Sequence, residues 1–191
     1  FAGIEAAMVM CESGYQLVPS NAHLSGAEVE LIGMERRERR LRDALQGQLD
    51  KFDYILIDCP PSLNLLTVNA LVAAQSVLIP MQCEYYALEG LTALVGTIRK
   101  IREMFNPRLE IEGLLRTMFD PRNTLSNEVS AQLGEHFGDK LYRTIIPRNV
   151  RLAEAPSYGK PVISYDMQSR GAQAYLALAG EILRREQAAS A

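Results

Sequence analysis

Tryptophan is absent from these 191 residues, histidine occurs only twice and cysteine three times. Cys11, Cys59 and Cys83 are odd in number, and no pair stands at metal-ligand spacing. That excludes a disulfide framework and a structural zinc site as expectations and favours reduced thiols. Long apolar runs are missing too. None approaches the roughly 18 residues a membrane-crossing helix needs. Neither sign of charge dominates: 20 Lys and Arg face 23 Asp and Glu, a net charge of −3. This excludes a highly basic nucleic-acid protein, and 48% hydrophobic with 23% charged residues excludes collagen and disorder along the whole length. A chain this long can bury about 70% of its unfolded surface, so one domain over residues 1–191 is expected. Residues 1–14 and 187–191 are the least defined, and frayed ends are expected at the tail. The start, Phe1-Ala2-Gly3-Ile4-Glu5, has no basic region leading into an apolar stretch, so no signal peptide is expected. It also lacks an initiator Met, which predicts that the chain begins inside a longer protein.

What is present is an alternation of strands and helices. Tyr15 to Pro19 reads as a short strand. From Leu24 to Leu49 the spacing suits helix, divided at Gly33. Within it, Glu35 to Asp43 holds five Arg and three acids, a net of +2, and reads as a solvated, ion-paired helix face. Phe52-Asp53-Tyr54-Ile55-Leu56-Ile57-Asp58 is the clearest strand, and its contiguous apolar residues predict burial on both faces, as in a parallel sheet. Further strands are predicted at Ser76–Pro80, Ile111–Met118 and Leu141–Ile146. Helices are predicted over Leu88–Phe105, Thr124–Phe137 and about Ser169–Arg185. The pattern predicts an α/β fold with a mainly parallel sheet flanked by helices. In such sheets ligands gather at the carboxyl ends of the strands. Those ends read Asp58-Cys59-Pro60-Pro61-Ser62, Pro80-Met81-Gln82-Cys83-Glu84, Thr117-Met118-Phe119-Asp120 and Ile146-Pro147-Arg148-Asn149.

An Asp closing a buried apolar strand, as in Ile55-Leu56-Ile57-Asp58, matches a Walker B arrangement, which aims a carboxylate at a phosphate-bound Mg²⁺. A helix cap or a turn is the alternative for such an Asp. The context reaches further. Residues 52–71, FDYILIDCPPSLNLLTVNAL, resemble the ParA family of partition ATPases, in the deviant-Walker group that also holds MinD and nitrogenase iron protein. The resemblance continues through SVLIPMQCEYYALEGLTALVG, IEGLLRTMFDPR and YRTIIPRNVRLAEAPSYGKPVISYDMQSRG, and upstream through LVPSNAHLSGAEVEL, over about residues 15–186. Several long motifs in family order make chance matching very remote. One departure is large. The deviant P-loop KGGVGKT is absent, and so is the second acidic motif DxDPQGN. Gly159-Lys160 is followed by Pro161 and preceded five residues earlier by Glu154, so it is not a P-loop. The chain is expected to correspond to the C-terminal two thirds of a ParA protein, a P-loop NTPase-like fold lacking its N-terminal P-loop strand. Such a gap would leave Ile55 and Ile57 beside an empty slot in the sheet.

The resemblance implies these roles. Asp58 would be the Walker B carboxylate, facing Mg²⁺ through water. Thr117 and Met118 would line one side of the adenine of ATP, and Pro147, Arg148 and Asn149 the other. Core packing for Met118, and a plain turn for Pro147 and Asn149, are the local alternatives. Arg122 and Arg151 match basic positions that, in ParA proteins resembling this one, contribute to DNA binding by the ATP-bound dimer; Lys160 and Arg170 would extend that patch. Such contacts reach phosphates without reading bases. Ordinary surface solvation is the alternative for each Arg. Glu84 is not expected to be catalytic, and no catalytic residue is assigned. Cys59 and Cys83 read as small buried fillers. Arg116 stands where the family usually carries an apolar residue, and the sequence offers no reason.

The implied function is a ParA-type partition protein. It would dimerise with ATP and Mg²⁺, bind DNA non-specifically, and segregate chromosome or plasmid copies with a ParB-like partner. Its expected location is cytoplasmic and nucleoid-associated, away from the membrane. Without a P-loop the chain alone is expected to show no ATPase activity. A non-enzymatic, truncated ParA-like regulator is the first alternative. A MinD-like membrane-associated ATPase is the second, although little apolar surface follows Arg185.

Overall fold

The computed structural model describes residues 3–21, 23–60 and 62–189. Pro61 of the Walker B segment, the first two residues of the start and the last two of the tail, Ser190 and Ala191, lie outside them. The described chain forms two compact units. The first runs up to Val77 and adds Val95–Glu110; the second takes Leu78–Leu94 and everything from Ile111 onward.

The first unit opens with a 3-10 turn at Ile4–Ala7 and a small antiparallel hairpin of β1 (Val9–Met10) and β2 (Gln16–Leu17), in which Val9 pairs with Leu17. Gly14 turns it at φ +85°, a left-handed value that suits glycine. Next come α1 (Leu24–Ile32), ending at Gly33 as the sequence predicts, α2 (Arg40–Leu45) and α3 (Leu65–Ala73). Asn64 caps α3 by accepting from Thr67 N at 2.9 Å, and Glu28 accepts from Leu65 N at 3.1 Å. Buried Asn69 binds α3 to the start of α2: its Oδ1 accepts from Leu41 N at 3.1 Å and its Nδ2 donates to Arg37 O at 2.8 Å.

The expected strand over Phe52–Asp58 is not formed. No residue from Phe52 to Pro60 lies in regular structure, and Leu56 is 92% exposed. The cause is physical. A strand exists only through the hydrogen bonds of a neighbour, and a doubly buried one needs covering on both faces. Among the described residues, none of the paired strands runs beside this segment. Ile55 is exposed and Ile57 half-buried.

The second unit holds the sheet of β3 (Ser76–Gln82), β4 (Glu110–Phe119) and β5 (Leu141–Pro147), in the order β3-β4-β5. β4 and β5 run parallel. The helices are α4 (Ala87–Met104), α5 (Thr124–Phe137), α6 (Val150–Glu154), α7 (Val162–Tyr165) and α8 (Arg170–Ala189). β3, α4 and β4 have their first or last residues in the other unit. This is the helix-flanked parallel α/β architecture the alternation predicts. Leu115, Tyr142, Ile146 and Leu178 form a core cluster, with Leu78, Leu152, Ala174 and Ile182 against it. Gly113 is required by close approach: a Cβ there would meet the Tyr142 ring at 2.6 Å and Lys140 O at 2.7 Å.

Polar groups tie α8 to β5. Glu181 is 7% exposed and accepts from Arg143 N at 2.9 Å, Thr144 N at 2.8 Å and Arg185 Nη2 at 2.9 Å. Burial opposes its charge, but these donors outweigh burial and pull its carboxyl down to about 2. Arg185 also lies 4.1 Å over the Tyr142 ring and donates to the Asp139 and Leu141 carbonyls. Arg116 now has an account as well. Its guanidinium donates to Ser130 Oγ of α5 at 2.8 Å and to Tyr142 O of β5 at 2.8 Å, so it fastens β4 to both neighbours. Its buried Nε has no partner among the described residues.

Candidate functional site

The carboxyl ends of β4 and β5 are shaped by a register change. The pairs are Leu114 with Leu141, Arg116 with Ile145 and Phe119 with Pro147. From Arg116 to Phe119 β4 therefore advances three residues (119 − 116) while β5 advances two (147 − 145). The surplus residue falls at Thr117-Met118, and Met118 has φ +51°. A bulge re-aims a side chain, and a left-handed Met costs about 1–2 kcal/mol. Met118 is 40% exposed there. Arg148 N donates to Phe119 O at 3.3 Å, which keeps the two strand ends together past Pro147. Asn149 caps α6, its Oδ1 accepting from Arg151 N at 3.0 Å. Thr117, Met118, Pro147, Arg148 and Asn149 are thus gathered at one rim of the second unit.

Asp58 belongs to the first unit, exposed at the end of the irregular apolar segment. Cys59 beside it is exposed, not a buried filler; the open segment that lacks a strand partner is the reason. Cys83 is buried as expected. No group of three or more His, Cys, Asp or Glu gathers among the described residues. A magnesium ion held by one carboxylate, waters and a ligand's own phosphates needs no such cage. A cavity of about 480 Å³ lined by Ile32, Leu63, Val68 and Phe105, and one of about 420 Å³ lined by Met8, Gln48 and Phe52, both lie in the first unit and include neither Asp58 nor any residue of the β4–β5 rim.

The two arginines are both ion-paired. Arg122 donates from Nε to Asp120 Oδ1 at 2.9 Å and from Nη2 to Oδ2 at 2.7 Å. The Arg122 guanidinium holds the Asp120 carboxyl down at about 2. Arg151 donates from Nη1 to Glu154 at 2.8 Å, and its Nε lies 3.3 Å from Asp166. The Glu154 carboxylate raises the Arg151 guanidinium above its ordinary value. Tyr165 reaches Glu154 at 3.4 Å and stacks on Tyr158, ring centroids 5.0 Å apart. Lys160 and Arg170 are exposed. Sequence reasoning missed the partners Asp120, Glu154 and Asp166. The i, i+3 spacing of Arg151 to Glu154 on a helix was a local signal for one of them.

Comparison with known proteins decides the family. Residues 3–111 match a family model described as an AAA domain. The chromosome partitioning protein ParA of Caulobacter vibrioides is 53% identical over 185 residues, which are 96% of this chain and 69% of that protein. The chain belongs to the ParA family of chromosome-partitioning ATPases. An uncharacterized protein of Pseudomonas putida is 65% identical over 173 residues, 91% of this chain and 66% of that protein. The chain therefore spans about two thirds of the length of these two relatives, 66% and 69%. A crystal structure of cobyrinic acid a,c-diamide synthase from Mycobacterium smegmatis, with bound ADP and magnesium, is similar at a TM-score of 0.71 and 33% identity, over 83% of this chain and 70% of that one. The ParA fold of the P-loop NTPase type thus holds for this chain, although no KGGVGKT motif occurs in its 191 residues.

Proposed function

We propose that this chain supplies the adenine rim and the DNA-facing arginines of a ParA-type partition ATPase. The native protein dimerises with ATP and Mg²⁺, binds DNA without sequence preference, and segregates chromosome or plasmid copies with a ParB-like partner in the cytoplasm, on the nucleoid. The observation that carries the reading is the bulge at Met118 beside Pro147 and Arg148, in a chain of this family. It sets an exposed thioether and a proline at the carboxyl ends of two parallel strands, the usual ligand position in such sheets.

The residues fit a purine nucleotide. Met118 and Pro147 offer apolar contact to a flat base, and Asn149 Nδ2 remains a donor for its edge after Oδ1 has capped α6. Asp58 is the carboxylate for a hydrated magnesium ion. Bound ATP–Mg²⁺ supplies the phosphoanhydride whose hydrolysis resets the cycle. Arg122 and Arg151 bind DNA phosphates, a salt-sensitive contact that carries no sequence information. No helix among the described residues is long and apolar enough to cross a membrane.

Sedimentation of the native polypeptide tests this reading. ATP with Mg²⁺ is expected to convert monomer to dimer and to allow binding of duplexes of unrelated sequence alike. The same state with and without nucleotide would overturn it. The 191 residues alone, having no phosphate-cradling P-loop, are expected to show no ATP turnover.

A further inference from the structure

Arg122 is both firmly held and open to solvent. It makes three bonds to one carboxylate, yet its side chain is 88% exposed. Asp120 Oδ1 accepts from Arg122 N at 3.0 Å and from its Nε at 2.9 Å, and Oδ2 accepts from Nη2 at 2.7 Å. Main chain and side chain of the arginine are therefore fixed by the same residue. The support is itself held. Asn123 N donates to Asp120 O at 3.1 Å, Asn127 Nδ2 donates to Pro121 O at 2.8 Å, and Asn123 caps α5 by accepting from Leu125 N at 3.0 Å.

The edge used matters. Asp120 takes the Nε and Nη2 side of the guanidinium. Nη1 and the second proton of Nη2 are left on the end-on edge, where a phosphate is bound bidentately. Arg151 differs: its Nη1 goes to Glu154 and its Nε to Asp166, so both edges are engaged. Arg122 keeps its whole end-on edge for a phosphate, while Arg151 offers only the N–H groups that its two carboxylates leave.

We infer that Asp120 is a positioning residue that presents Arg122 to a DNA phosphate. The inference rests on the DNA-binding reading above. A fixed arginine loses less rotamer freedom on binding than a free one, so the carboxylate strengthens an anion contact despite its own negative charge. That sign is what makes the inference testable. Simple Coulomb attraction predicts that neutralising Asp120 tightens DNA binding. Positioning predicts that it weakens.

The test uses the native polypeptide with ATP and Mg²⁺, and anisotropy of a fluorescein-labelled duplex of arbitrary sequence at fixed low salt. Arg122→Ala is expected to weaken binding and lower the salt slope by about one. Asp120→Asn is expected to weaken it about three- to tenfold with Arg122 in place, and not at all in the Arg122→Ala background. Glu128→Gln, which neutralises an exposed carboxylate on α5, is expected to leave binding equal or tighter. If Arg122→Ala weakens binding while Asp120→Asn equals or exceeds the parent, positioning is overturned and the DNA reading stands. A loss on Asp120→Asn that persists without Arg122 overturns it too. No effect of Arg122→Ala overturns the DNA contact itself, and the inference with it.

Discussion

The unit that carries Asp58 and the unit that carries the β4–β5 rim treat their apolar segments differently. In the second, Leu115, Tyr142 and Ile146 are each at most 3% exposed, and the strand N–H groups of Arg143 and Thr144 end on Glu181. In the first, the apolar run Ile55-Leu56-Ile57 stays outside regular structure, with Leu56 at 92% exposure. Both runs are rich in Ile and Leu. The difference is that one lies among paired strands and the other, among the described residues, pairs with none of them. Strand formation is a property of the pair, not of the segment.

The largest effect is expected from breaking the closed unit. Glu181→Ala removes the acceptor of two strand amides and of Arg185, and should lower stability by about 3 kcal/mol in urea unfolding. An unchanged midpoint would mean that the α8–β5 clamp is not what holds this unit. Acid should act on the same group. Its folded carboxyl lies at about 2 against an ordinary 4.5, so its contribution is full above about 4.5 and fades as pH falls toward 2. By linkage that contribution is about 3 kcal/mol. The protection of the Arg143 and Thr144 amides, relative to their intrinsic exchange at each pH, should fall over that window, and Glu181→Gln should flatten the dependence. The smallest effect is expected in the open unit. Leu56→Ser in these 191 residues should change stability by less than about 0.5 kcal/mol, because the side chain is already in water. A loss near that of Glu181→Ala would show that the segment is covered in solution and would erase the contrast between the units.

The same contrast explains what the sequence made legible. The helix Thr124–Phe137 is found at the predicted bounds, because its cap Asn123 and its periodicity are local. Strands β3, β4 and β5 appear where expected, each extended by a residue or two. The strand at Phe52–Asp58 fails because its status depends on a partner elsewhere. The bulge at Met118 is invisible in sequence for a related reason: register is a relation between two strands, and Thr117-Met118 reads as ordinary strand until Pro147 is placed opposite Phe119. Arg116 is explained only when Ser130 and the Tyr142 carbonyl arrive from two other elements. Of the site residues, Pro147, Arg148, Asn149, Thr117 and Met118 were named through family motifs, and their gathering at one rim follows from the β4–β5 pairing. The carboxylates that hold Arg122 and Arg151 were not named, because charge alone does not say which acid an arginine meets.

The central claim is that this rim takes the adenine of ATP. Photolabelling the native polypeptide with 8-azido-ATP and Mg²⁺, followed by peptide mapping, tests it most directly. The account predicts label within residues 117–119 and 147–149, displaced by excess ATP. Label confined to other peptides, or label that ATP does not displace, would contradict it.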